Sequence, residues 1–166
     1  STSLAPRLLF RHTAFLHQRW KMTALRVRHV GFTGTRQGMS DHQKAELRRA
    51  MVLAEMDGIE NCLHHGDCKG ADAEAHAIAV ELGWDIIIHP PTKRIMRAYC
   101  GDGALILPPM DYLRRDEEIV RVSGFIFAAP KKDEEEQRSG TWYTVRYARK
   151  MGKRVILLSR EATDLV

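Results

Sequence analysis

Long apolar runs are missing from this chain of 166 residues. The longest, around Ile86–Ile88 and Phe125–Ala129, are strand-sized, well short of the roughly 18–20 residues a membrane helix needs. Cysteine is scarce and odd in number. Cys62, Cys68 and Cys100 form no CxxC and no disulfide-framework spacing, which points to buried or free thiols in a reducing, cytoplasmic setting. Cys68 sits in a glycine-rich loop and is the one thiol whose reactivity merits a test. GxGxxG, GxxxxGKS/T and HExxH are also absent. An ordinary NAD dehydrogenase, a P-loop ATPase and a zincin are therefore disfavoured.

Acidic residues are lacking in residues 1–21, where Arg7, Arg11, Arg19 and Lys21 carry most of the net charge of +5. In residues 22–166 the other 22 bases meet all 21 acids. A polyanion-binding surface ordinarily shows as a basic patch or stripe, so the balanced body argues against nucleic acid as the partner. With 44% apolar and 28% charged residues, the chain has ordinary globular usage and the length of one domain.

Two segments are expected: a basic extension over residues 1–21 and a nucleotide-binding domain over residues 22–166. The extension has three readings: a stretch ahead of a natural start at Met22, an organelle-targeting presequence, or a functional arm. In the last, Leu9, Leu16 and Trp20 would cover a groove or a neighbouring subunit.

From Ala24 the hydrophobic period alternates between strand and helix. Strands are expected at Leu25–Thr33, Ile59–His65, Trp84–His89, Val122–Ala129 and Arg154–Leu158. Ser40 and Gln43 have capping-box spacing ahead of a helix to about Met56. Further helices are expected over Gly70–Leu82, Tyr112–Val120 and Gly140–Met151, and Thr92–Met110 reads as a loop with one helical turn near Arg94–Tyr99. The pattern predicts a three-layer α/β/α, Rossmann-like domain with a mostly parallel sheet of five strands in the order 3-2-1-4-5.

Such sheets bind ligands at the carboxyl ends of their strands. Three strand-to-helix turns fall there: Gly34-Thr35-Arg36, then Gly66 to Asp72, then Ser139-Gly140-Thr141. Each combines glycine with hydroxyl or acidic residues. Glycine lets backbone N–H groups approach an anion, and a helix N-terminus adds partial positive charge. Together the turns predict a cradle for phosphate and ribose.

The succession GFTGTR, HGDCKGAD, HPP, YLRRDEEIV and RSGTWYTVRYARKMGKRV resembles the SLOG superfamily, which includes the LOG-type nucleotide-processing proteins and DprA. It is most similar to the small single-domain branch related to YspA and YpsA, over about Arg26–Leu158. The resemblance implies a Rossmann-like fold that binds a nucleotide or nucleotide-derived ligand. It places Gly34, Thr35, Arg36, Ser139, Gly140 and Thr141 at phosphate and turns Arg115 toward the ligand. Gly66, Gly70, Ala71 and Asp72 form a second wall, with Asp72 bonding a ribose hydroxyl or capping the helix. It also implies a homodimer or higher homo-oligomer.

LOG-type hydrolases carry a glutamate in PGGxGTxxE that takes part in cleaving the N-glycosidic bond, and here that position falls on Thr144. Threonine is no acid or base near neutral pH. If the chain hydrolyses a glycosidic or phosphate bond, Asp67, Asp72 or Asp116 must supply the carboxylate. Rival readings are a DprA-like single-stranded-DNA module and a LOG-like phosphoribohydrolase. His65, Asp67, Asp72 and His76 could in principle hold a metal, but consecutive His64 and His65 on a strand point to opposite faces, so no metal and no cofactor is expected.

Overall fold

The computed structural model describes residues 27–162. The basic extension, its expected interface contacts and the expected start of the first strand at Leu25 lie outside the described residues.

The elements, in chain order, are β1 (Val27–Gly34), α1 (Asp41–Ala54), β2 (Glu60–His65), α2 (Ala71–Leu82), β3 (Asp85–Ile88), a 3-10 turn (Arg94–Met96), β4 (Leu105–Ile106), α3 (Tyr112–Val122), β5 (Phe125–Ala129), α4 (Gly140–Lys150) and β6 (Arg154–Leu157). All pairings are parallel, in the order β4-β3-β2-β1-β5-β6. The expected five-strand order is thus present, and the count is corrected to six. The added edge strand is only Leu105 and Ile106, paired with Ile87 and Ile88. Two residues are too few for any period to be read from sequence, and they fall inside the segment expected to be a loop.

Local chemistry accounts for the ends of the helices. Ser40 caps α1, accepting from the Gln43 N–H, and the Gln43 side chain reaches back to the Ser40 N–H. The fully buried Gln43 amide also donates to Pro130 O at 2.9 Å and Leu158 O at 3.0 Å, tying α1 to the loops after β5 and β6. Gly83 ends α2 in the left-handed region, with Trp84 N on Ala79 O and Gly83 N on Val80 O, the paired bonds of a Schellman cap. Helix α1 stops at Ala54 rather than Met56, and α3 runs on to Val122, so β5 begins at Phe125.

Alternation along the buried strands sorts residues to two faces. Val30, Phe32, Leu63, Ile86 and Ile88 pack with Leu47 and Met51 of α1 and Ala75 and Ile78 of α2. On the opposite face, Ile126 packs with Val120 of α3 and Ala148 of α4, and Ala128 with Trp142 and Val145 of α4. This gives the three layers. It also sets the turns after β1, β2 and β5 side by side, because those strands are neighbours at the centre of the sheet.

Candidate functional site

The first turn is stitched to its neighbours by backbone bonds. Thr35 N donates to Ala129 O, and Thr35 O accepts from Ala71 N, each at 3.0 Å. The Thr35 hydroxyl accepts from Gln37 N at 3.2 Å. Gly34 permits this closeness: a Cβ there would lie 2.5 Å from that of Ala71. Gly70 has a φ of +90°, and a Cβ on it would run into the Arg36 carbonyl. The β1 and β2 turns therefore interlock through Gly34, Gly70 and Ala71.

Between these turns and the start of α4 lies a cleft of about 790 Å³. Ser139 caps α4 through its hydroxyl, which accepts from Trp142 N at 3.3 Å. Gly140 and Thr141, the first two residues of the helix, line the cleft, so its unsatisfied amides and positive dipole end open onto it. A Cβ on Gly140 would collide with the Tyr112 hydroxyl, so glycine here lets α3 close against the head of α4. Arg36, Lys69, Lys131 and Arg138 are exposed on the rim, and Glu136 is the acid among them.

The floor is a buried group of charges. Arg115 is 2% exposed and stands between Asp72 and Asp116, each 6% exposed. Its Nε lies 2.8 Å from Asp116 Oδ1, at ion-pair distance without the alignment of a hydrogen bond. Its Nη1 donates to Gly66 O and, at 3.3 Å, to His89 O. Gly66 is confined by this contact, because a Cβ would overlap the guanidinium. Asp72 Oδ2 accepts from Cys68 N at 3.1 Å.

Burial pushes the Asp72 carboxyl up to about 6 and that of Asp116 up to about 7, with Arg115 opposing the rise in both and Asp72 adding to it at Asp116. Two carboxyls and one guanidinium share this floor, so the charge on one bears on the ionisation of the others. The Thr144 hydroxyl donates to Gly140 O at 3.0 Å and lies beside the Asp116 carboxyl, where it counters part of the rise. Asp116 therefore brings a carboxyl to the place on α4 where Thr144 has none.

Of the residues singled out from sequence, Gly34, Thr35, Arg36, Gly66, Asp72, Arg115, Asp116, Ser139, Gly140 and Thr141 line one cleft. Three do not. Gly70 and Ala71 form the joint beneath it. Asp67, with no exposed surface, accepts from Arg97 Nε at 2.8 Å and from Cys100 N at 2.9 Å, which pins the segment after β3. Tyr112, Ile119, Ile95, Met96 and Lys69 also line the cleft, outside the three glycine turns' candidate residues. A signal existed for the first two: Tyr112, Arg115, Asp116 and Ile119 fall at i, i+3, i+4 and i+7, one face of α3.

The rival residues have other partners. His65 Nε2 lies 2.9 Å from His76 Nδ1, and His76 Nε2 lies 3.1 Å from Asp102. With Asp67 and Asp72 engaged elsewhere, the four candidate metal ligands do not converge. Burial and the neighbouring Asp72 push the Cys68 thiol up to about 11, so it is a poor nucleophile at neutral pH. Trp142 is core, and the Tyr143 hydroxyl donates to Glu117 at 2.6 Å. The 131–138 loop is fastened by Asp133 to Ser159 and Arg160, and by Arg146 to Glu135 and Gln137 O.

No family model matches the chain, and no curated protein matches it in sequence. Solved structures do match in fold. DNA processing protein A (DprA) of Streptococcus pneumoniae superposes with a TM-score of 0.62 at 21% identity, over 86% of this chain and 53% of that one. This chain thus spans about half the length of that protein. The molybdenum cofactor binding protein of Rippkaea orientalis gives 0.61 at 20% identity, over 80% and 77%. The molybdenum cofactor carrier protein of Chlamydomonas reinhardtii gives 0.57 at 21%, over 82% and 78%. The chain thus shares the Rossmann-like fold of these structures.

Proposed function

We propose that this chain binds a nucleotide or nucleotide-derived small molecule in the cleft, with phosphate at the head of α4. One observation carries the reading: the α4 N-terminus opens onto a cleft whose rim holds four cations and whose floor holds a buried guanidinium. Backbone amides at a helix start, next to Arg36 and Arg138, are suited to a phosphoryl group. The Tyr112 ring and the Ile95 and Met96 side chains offer apolar surface to a planar ring, and Asp72 is the acceptor for a ribose hydroxyl. The structural neighbours support the ligand class, since molybdenum cofactor and single-stranded DNA, bound by a Helicobacter pylori DprA, both carry phosphate. The balanced charge of residues 22–166 favours the small molecule, because affinity for nucleic acid rests chiefly on phosphate neutralisation.

A second reading, hydrolysis of the bound nucleotide, is favoured by Asp116. A carboxyl titrating near neutrality in a cleft is suited to acid–base work. Asp116 would take a proton from water as its hydroxyl adds to the sugar carbon, and a proton would pass to the departing base. Asp72 and Arg115 would hold the sugar and phosphate.

A thermal-shift screen of nucleoside mono-, di- and cyclic phosphates tests binding, since a ligand stabilises by RT ln(1 + [L]/Kd), about 2.7 kcal/mol at a hundredfold excess over Kd. Arg36→Ala is expected to abolish the shift and leave the unliganded melting point within a degree or so, because Arg36 is exposed. Gly140→Asp is a poorer probe because it displaces Tyr112. Base release, followed by chromatography, should vanish in Asp116→Asn while the thermal shift persists. No stabilising nucleotide, or a shift indifferent to Arg36→Ala, contradicts the binding reading. A salt-sensitive oligonucleotide complex that survives removal of residues 1–21 would favour DNA instead.

A further inference from the structure

Away from the cleft residues, a different set of potential ligands converges. His29 on β1 and Cys62 on β2 are register partners, and His64 follows Cys62 by two residues on the same sheet face. That face carries α3, since a Cβ on Gly31, two residues after His29, would touch Ile119. One ligand atom from each of His29, Cys62 and His64 lies within 4.8 Å of the others. His29 Nδ1 is 2.8 Å from His64 Nε2, and His64 Nδ1 is 2.9 Å from His89 Nε2.

We propose that His29 Nδ1, Cys62 Sγ and His64 Nε2 form a binding site for a zinc-like divalent cation. Two imidazole nitrogens and a thiolate are zinc's preferred donors. Tetrahedral bonds of about 2.0–2.1 Å set two nitrogens about 3.3 Å apart, so the two nitrogens need to part by about half an ångström and the rings to tilt until both lone pairs meet at the ion. The ligands stand on paired central strands, where neighbouring backbones fix the Cα spacing. His89 holds the second nitrogen of His64, the orienting role an outer partner plays for a metal-bound imidazole. A hydrogen-bonded row of histidines alone accounts for His29, His64 and His89, but not for the thiol brought into the same cluster. Three protein ligands leave the fourth position to water or a small anion.

The protons balance. The ion displaces the Cys62 thiol proton to solvent, and the proton shared between His29 and His64 moves to the far nitrogen of His29. His64 keeps its Nδ1 proton for His89.

Cobalt(II) is the probe. Titrating the full chain, stripped with chelator and held reduced, should give one equivalent with a thiolate-to-cobalt charge-transfer band and intense tetrahedral ligand-field bands. Zinc should bleach both. Cys62→Ser should remove the charge-transfer band, and His29→Gln, at a half-exposed position, should weaken binding at least tenfold with an unchanged circular dichroism spectrum. Absence of the charge-transfer band at saturating cobalt overturns the proposal, as does its survival in Cys62→Ser. Should Cys62→Ser fail to fold, His29→Gln decides: unaltered cobalt affinity refutes the site.

Discussion

Arg115→Met is expected to destabilise the fold by about 3–5 kcal/mol at pH 8, the loss typical when one partner of a buried ion pair is removed. The variant leaves Asp72 and Asp116 without the guanidinium, which already only partly offsets the burial that raises both. The loss should shrink toward pH 5. In the folded state these carboxyls are raised, to about 6 and about 7, whereas in the unfolded chain they titrate near the ordinary value of about 3.9. Between those limits the folded state binds more protons, so stability falls as pH rises through the folded values. Without Arg115 the folded values rise further and the fall steepens. Urea denaturation at pH 5, 6.5 and 8 reads this directly. A deficit below about 1 kcal/mol, or one that does not change with pH, would contradict the assigned floor. Ligand-induced thermal shifts should disappear in the same variant.

The second large effect belongs to Gly70→Ala. Gly70 has φ +90° and ψ −125°, a region nearly confined to glycine that costs another residue about 1–3 kcal/mol, and here the new Cβ also meets the backbone carbonyl of Arg36. Backbone cannot move aside as a side-chain tip can, so the β1 turn must shift. A loss of at least about 3 kcal/mol is expected, or roughly 6–12 °C in melting temperature for a domain of this size. Gly58 supplies the control. It also has positive φ, at 74°, but nothing stands within 4 Å of its added Cβ, so Gly58→Ala should show the conformational cost alone, about 1 kcal/mol. Equal losses at the two positions would mean that the turns do not interlock.

Both variants bear on how far the sequence is legible. The capping box at Ser40, the glycine stop at Gly83 and the apolar strands are local signals, and the strand order follows from right-handed crossovers. The two residues of β4 carry no period of their own and are strand only because Ile87 and Ile88 offer an open edge. In the site, the three glycine turns are visible because their chemistry is contiguous. The division of labour among them is not. Gly70 and Asp67 sit in the same motif as Gly66 and Asp72, yet the chain's path after β2 turns the former pair to support and the latter to the cleft. Asp116 acquires its character from burial, from Arg115 beside it on α3, and from Asp72 on α2 and Thr144 on α4, which are distant in sequence. The His29, Cys62 and His64 cluster is invisible for the same reason, because it exists only through the register of β1 on β2.

Amide NMR of the full chain, titrated with a stabilising nucleoside 5′-monophosphate and with the same nucleoside lacking phosphate, tests the central claim most directly. The phosphate-bearing ligand should move the amides of Thr35, Arg36, Gly140 and Thr141 most, and the nucleoside should leave those four nearly still. Equal perturbation by both ligands, or shifts concentrated away from the α4 N-terminus, would contradict a phosphate site in this cleft.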